Sequence, residues 1–440
     1  MTQYKKLAVN TFFFALGNVG SKGVQFLMLP MFTRYMVPAE YGKLDVINTT
    51  VSLMVPILSF QIIEAIFRFA VECRVQQRNR NILSTALIFS TMSFLFSIFL
   101  YPVLRNLSIF ADYGIYFYVI FFLTILNGIV KQYIRGLEKI KLYVVSDIFY
   151  SVIFALSNFL LLVVFKLGIK AYLLSNVISL MCATLLIFFA AQLYKHMYLK
   201  IDRQLLKEML SYSVPLIPNG IMWWIVNVSD RYIITYFLGY EATGVYSVAA
   251  RFPALLTVFF GIFFQAWQLS AMEEYGKENY TSFFSSVFSV VSSIMFLVSS
   301  VLFSIIKPFM GIYVGRSYVE SWKYVPLLFL GAVFNSFAGF YGVNYTASKK
   351  TIGAFFTSMI AAAIKILTIL LLIKSWRIQA ASFSTMLAYL TMWIVRVYHT
   401  KRLVNVYLEK DHLIVSFALV LTQVVLLLFL NARFYAIQAL

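Results

Sequence analysis

Residues 207–251 read KEMLSYSVPLIPNGIMWWIVNVSDRYIITYFLGYEATGVYSVAAR. The run is longer and more apolar than one helix of a water-soluble domain. It nevertheless carries Asp230, Arg231 and Arg251, charges that a membrane-spanning helix tolerates poorly. A basic, histidine-containing break, KHMYLKIDRQLLK at 195–207, leads into it. We read the stretch as the opening of the second half of a duplicated, membrane-embedded chain whose first half follows the same plan.

Composition agrees. Hydrophobic residues make up 61% of the 440 and charged residues 12%, where a soluble domain has about 25% charged. Mean hydropathy is +0.84. Lys5 and Lys6 precede an apolar run of the kind that begins a secretory leader, but the run continues without a small-residue cleavage site, so a retained helix is expected. Cys73 and Cys182 are the two cysteines, too few for a disulfide framework or a metal set, and no cofactor is expected. The 36 Lys and Arg against 17 acids fit the positive-inside pattern and a lining for an anionic ligand better than nucleic acid. No glycine-rich phosphate loop ending in Lys-Ser/Thr is present, and His196, His399 and His412 sit in polar breaks beside Lys or Arg. Nothing here marks an enzyme.

Apolar runs separated by polar breaks predict helices at 7–36, 41–73, 81–106, 112–136, 143–166, 170–195, 207–238, 242–272, 280–306, 322–347, 351–374, 377–402 and 411–431. With the N-terminus in the cytoplasm, inner segments hold 20 Lys and Arg and outer segments 11, so the bias supports that orientation. The expected fold is an all-α polytopic membrane protein of two six-helix bundles, 1–200 and 201–402, with an additional helix and tail at 403–440. Six is even, so both bundles start from the same side, the condition for parallel repeats about an axis along the membrane normal. An offset of 202 aligns Thr33 with Thr235, Gly42 with Gly244 and Glu72 with Glu274, and sets Gln25 against Asn227. Pro30, Pro56, Pro215, Pro218 and Pro253 fall inside the first hairpin of each half and predict bends there.

Five basic residues remain inside the predicted helices: Lys22, Arg68, Arg231, Arg251 and Lys365. Asn18, Lys22 and Gln25 share one face of the first helix, and a charge there costs roughly 3 kcal/mol against lipid. That face is expected to meet a wet cavity. Glu64, Arg68 and Glu72 have i, i+4 spacing and can pair, which would serve either function or simple anchoring. Asn219, Trp223, Asn227 and Asp230 line up along the seventh helix. Asp230 and its neighbour Arg231 point about 100° apart and are not expected to neutralise each other directly. Several cations facing one cavity would repel each other unless they met an anion such as a phosphate or pyrophosphate.

TRYMVPAEYGKLDVIN (33–48) with EAIFRF (64–69), and SDRYIITYFLGYEATGVYSVAARF (229–252), resemble the first hairpins of the two lobes of the polysaccharide-biosynthesis branch of the multidrug/oligosaccharidyl-lipid/polysaccharide (MOP) exporter superfamily. The resemblance covers about 5–402 in layout and is specific in those stretches. It implies a Wzx-type flippase with the V-shaped arrangement of multidrug transporters, moving undecaprenyl-pyrophosphate-linked oligosaccharides across the cell membrane by alternating access. Capsule, exopolysaccharide or O-antigen synthesis would be the setting, membrane lipid the surroundings, and a polysaccharide polymerase a pathway partner. In that family and the related lipid II flippases, basic residues of the first, second and eighth helices line the cavity. Lys22, Arg68 and Arg251 would fill those places, with Arg231, Asn18, Gln25, Asn227 and Lys365 completing the lining. Glu64 and Asp230 are the expected carboxylates for coupling to H⁺ or Na⁺. One additional C-terminal helix departs from the 14-helix lipid II flippases and argues against that substrate. Two alternatives stay open: a cation-coupled multidrug exporter, which would want a more acidic cavity, and a membrane-embedded glycosyltransferase or ligase, which usually needs a larger outer loop than 307–321.

Overall fold

A computed structural model describes residues 3–75, 81–105, 108–197, 200–348, 350, 352–402, 404 and 410–429. Among them every regular element is helical, and helix is found at all thirteen expected positions. Among the described residues, eight helices or continuous helical runs are long and apolar enough to cross a membrane, and nine if one bent pair counts as a single span. The protein is a multi-pass membrane protein. Contacts divide the chain into two compact units, Met1–Met36 with Lys43–Trp224, and Val37–Gly42 with Ile225–Leu440.

The first unit draws on α1 (Gln3–Tyr35), α2 (Pro38–Leu58), α3 (Ile62–Val75), α4 (Ile82–Ser97), α5 (Tyr101–Leu104), α6 (Ser108–Gly136), α7 (Ile140–Asn158), α8 (Ile169–Ala190), α9 (Arg203–Ser213) and α10 (Ile217–Val228). α2 and α3 meet at a 54° bend. The bend follows Pro56, and Phe60 and Gln61 take positive φ there. Aromatic edges join α1, α7 and α8, with Phe32 and Phe154 both set against Tyr172 at 5.3 and 5.1 Å. α6 crosses α3 closely enough that a Cβ on Gly136 would lie 2.5 Å from the Ala70 methyl. The basic break at 195–207 falls inside the first unit, and the units part within α10. The reason is packing: α9 lies against α3 and α4, and Asp202, which caps α9 through the Leu205 amide, bonds Thr85 through its own backbone N–H.

The second unit continues with α11 (Asp230–Ala249), α12 (Pro253–Glu274), α13 (Tyr280–Tyr313), α14 (Val325–Ala347), α15 (Ile352–Trp376), α16 (Ile378–Thr400) and α17 (Lys410–Phe429). α14 is apolar around its whole circumference, the pattern of a helix enclosed on all sides. Its membrane window is 83% buried, against 44% or less for the others, so it is the central helix of the unit. Trp267 of α12 stacks on Phe340 of α14 with centroids 4.1 Å apart, and Phe288 of α13 meets Phe337 at 5.2 Å. α17 docks on α13 through Gln423, whose amide donates to Ser300 O and Ser304 Oγ. Two of the expected interior prolines stand instead at helix starts: Pro215 opens a short 3₁₀ turn and Pro253 opens α12. A proline has no N–H to lose in that position.

The predicted break between the seventh and eighth runs falls at Gly239, which has φ 85° inside α11. Beside it lies a contact that bears on the repeat. A Cβ on Gly42 would meet Tyr240 O at 2.0 Å, and a Cβ on Gly244 would meet Pro38 O at 1.9 Å. Pro38 and Tyr240 are 202 residues apart, as are Gly42 and Gly244. The offset of 202 that aligns the two glycines thus also relates the residues that they touch. Gly42→Ala and Gly244→Ala are each expected to destabilise by about 1–3 kcal/mol or more, because the methyl group would meet backbone rather than a movable side chain. Gly261→Ala, with nothing within 4 Å, is the matched control. Thermal unfolding of the purified variants in detergent checks the difference.

Candidate functional site

The polar site of the second unit forms where α10 ends at Val228, Ser229 intervenes and α11 begins at Asp230. Asp230 is fully buried. Its position in the first turn of α11 places the carboxylate at the positive end of the helix dipole. Oδ1 accepts from Arg231 Nη1 at 2.6 Å and from the Arg231 backbone N–H at 3.1 Å. Oδ2 accepts from Lys365 Nζ at 3.1 Å, from Thr385 Oγ1 at 3.4 Å and from the Tyr246 hydroxyl. α11, α15 and α16 thus converge on one carboxyl group. Arg231 also donates to Asn227 O at 3.1 Å and lies over the Tyr246 ring at 5.2 Å. Tyr389 Oη donates to Asn227 Oδ1 at 2.7 Å.

A cavity of about 170 Å³ opens on this cluster, lined by Asn227, Asp230, Arg231, Tyr246, Thr385 and Tyr389, with Asn335 of α14. It has room for several waters, or for one small anion with a few of them. One carboxylate and two cations leave the cluster a net charge of +1. The chemistry on offer is hydrogen bonding and attraction for an anion. Among the described residues no group of His, Cys, Asp and Glu has the makings of a metal site.

Several expectations are corrected. Asp230 and Arg231 do pair directly. The arginine folds back across the junction toward Asn227 in the last turn of α10, and passes Asp230 Oδ1 on the way. Lys365, expected on a cavity wall, is 0% exposed. Its ammonium is spent on Asp230 and on the Val226 carbonyl, in the last turn of α10. Arg251 is not deep within a helix but in the short break between α11 and α12. Glu64, Arg68 and Glu72 form no ion pair among the described residues. Arg68 lays its guanidinium over the Tyr212 ring at 4.4 Å instead.

The structure brings together Asn227, Asp230, Arg231 and Lys365. Lys22 and Gln25, both exposed on α1, and Glu64 and Arg68, both exposed on α3, belong to the first unit. The side chain of Asn18 lies outside the described residues. Three groups were missed. Tyr246, Thr385 and Tyr389 complete the cluster, and only their polarity in an apolar setting hinted at it. Lys131 of α6 pairs with Asp147 of α7, a carboxylate in a predicted helix that deserved the weight given to Asp230. Arg396, near the end of the predicted helix 377–402, is 4% exposed and donates to Ala338 O at 2.7 Å and Thr357 Oγ1 at 3.0 Å, joining α14, α15 and α16.

Comparison with solved structures finds this fold in membrane transporters. The lipid II flippase MurJ in an inward closed conformation superposes with TM-score 0.69 at 14% identity, over 98% of this chain and 95% of that one. An inward-facing multidrug resistance MATE family transporter of the MOP superfamily gives 0.68 at 12% identity, over 88% and 95%. The Vibrio cholerae MATE transporter VcmN in its bent form gives 0.58 at 12%, over 94% and 98%. At these identities the likeness is one of fold. No curated protein sequence matches the chain. The model of the polysaccharide biosynthesis protein family matches residues 7–268, more than half of the chain, and the protein belongs to that family.

Removing one partner of a buried ion pair costs about 3–5 kcal/mol, but here the partners are not equivalent. Asp230→Asn strands two cations against each other, whereas Lys365→Met leaves the Arg231–Asp230 pair neutral. Asp230→Asn is expected to lower the unfolding midpoint more than Lys365→Met. The double variant is expected to be milder than the sum of the two, as a double-mutant cycle would register.

Proposed function

We propose that the protein is a flippase for undecaprenyl-pyrophosphate-linked oligosaccharides, carrying them from the cytoplasmic to the outer leaflet by alternating access for surface polysaccharide synthesis. Membership of the polysaccharide biosynthesis family and a fold shared with a lipid II flippase support this reading. The observation that carries it is basic charge displayed inside apolar helices. Arg231 lines a polar cavity beside a buried cluster, Asp230 with Arg231 and Lys365, whose net charge is +1. Lys22, nineteen residues into α1, is exposed, as is Arg68. Exposure to lipid at such depth would cost roughly 3 kcal/mol per charge, so these side chains face water and are placed to meet an anionic headgroup. The pyrophosphate would sit against Arg231, the sugars against amide and hydroxyl groups such as Asn227 and Tyr389, and the lipid tail would remain in the bilayer.

In this reading the N-terminus is cytoplasmic, the membrane is the cell's inner or cytoplasmic one, and the protein moves its cargo without covalent chemistry. Likeness in fold to multidrug transporters favours a drug exporter as the second reading. Against it, Asp230 already meets two cations and does not offer a free carboxylate to a cationic drug.

Complementation of a flippase-deficient strain tests the proposal. Lys22→Ala, Arg68→Ala, Arg231→Ala and Arg251→Ala, at matched expression, are expected to reduce surface polysaccharide and to accumulate lipid-linked repeat units inside. A charge-assisted hydrogen bond is worth about 1.5–3 kcal/mol, so each loss should slow flipping roughly tenfold or more. Full activity in all four would remove the cationic-cavity argument. The headgroup's charge adds a second expectation. Outward movement of an anion through an inside-negative potential gains roughly 2.3 kcal/mol per charge per 100 mV, so collapsing the potential in sealed vesicles should slow flipping.

A further inference from the structure

The junction of α10 and α11 has the makings of a cation site. The Val226 carbonyl lies in the last turn of α10, where carbonyls lack helical partners and the dipole is negative. Asp230 supplies a carboxylate four residues on, and the hydroxyls of Tyr246 and Thr385 gather at the same carboxylate oxygen. Carbonyls at an interrupted membrane helix, together with hard side-chain oxygens, are the groups with which transporters coordinate a free Na⁺ or proton. In this chain the place is taken. Lys365 Nζ donates to Val226 O and sits 3.1 Å from Asp230 Oδ2.

The lysine is anchored from α15, on the face that carries Ala361, Ala362 and Ile369, all buried. Withdrawing its charge would drag an ammonium through apolar packing and leave the carboxylate short of a partner. We propose that Lys365 is a tethered counter-ion: its ammonium occupies the position a coupling Na⁺ would take, so Asp230 exchanges no free cation with the medium. The assignment concerns the ion and holds whatever cargo the protein carries. It removes Asp230 from the ion-coupling carboxylates expected from the sequence.

The test is thermal unfolding of the purified full-length protein in detergent, with NaCl titrated against choline chloride at constant ionic strength. Wild type is expected to show no shift specific to Na⁺. Lys365→Met, with its oxygen cage vacated, is expected to gain a saturable rise in Tm with Na⁺, as mass action requires of a ligand that binds the folded state. That rise should vanish in the Asp230→Asn/Lys365→Met double variant. A saturable, Na⁺-specific rise in wild type that Asp230→Asn abolishes would overturn the proposal, as would a Lys365→Met protein indifferent to Na⁺. If Lys365→Met does not yield folded protein, wild type and Asp230→Asn carry the test alone: a flat response in both supports the tethered ion, and a response lost on Asp230→Asn refutes it.

Discussion

In an apolar helix bundle an ionised carboxylate persists only where cations and hydrogen-bond donors replace the water it has lost. Asp230 meets that requirement with Arg231 from its own helix, Lys365 from α15, Thr385 from α16 and the Tyr246 hydroxyl. Because the donors come from three helices, the carboxylate sets how α11, α15 and α16 approach one another. It also fixes Arg231 beside a polar cavity. The interaction is structural and functional together: the group that satisfies the buried charge is the group that presents the surplus cation.

A second constraint is steric. Backbone meets backbone where Pro38–Gly42 crosses Tyr240–Gly244, and there is no room for a side chain at either glycine. The segment Val37–Gly42, though it follows α1 in the chain, therefore counts with the second unit. Elsewhere the second unit relies on aromatic packing around α14 and on Arg396, which satisfies its guanidinium with a backbone carbonyl and two hydroxyls rather than a carboxylate. The two buried charges Asp230 and Arg396 are each held by several donors or acceptors, as expected where no water is at hand.

Much of the fold was legible because membrane helices announce themselves by length and hydropathy. The break at Gly239, the bend after Pro56 and the equivalence of Gly42 with Gly244 were all readable. The site was legible in part. Charges in apolar runs pointed to Asp230, Arg231 and Lys365, because burying a charge is costly enough to mark it. Their pairing was not readable. Arg231 was judged from its Cα direction, yet its long side chain folds back across the junction of α10 and α11. Tyr246, Thr385 and Tyr389 offered only their polarity, which many other Tyr and Thr residues in these apolar runs share.

What the sequence determined by itself is where the apolar helical runs lie and their order along the chain, since each follows from the local requirement that backbone polar groups be satisfied within the membrane. It also determined which residues carry charge inside them. Tertiary structure alone decided which of those charges are free to meet a ligand and which are consumed within the protein. Lys365 and Lys22 look alike in the sequence, each a lysine in an apolar helix, yet one is fully buried against Asp230 and the other is exposed on α1. The difference arises because a pairing partner 135 residues away along the chain reaches Lys365 only when α11 and α15 pack together.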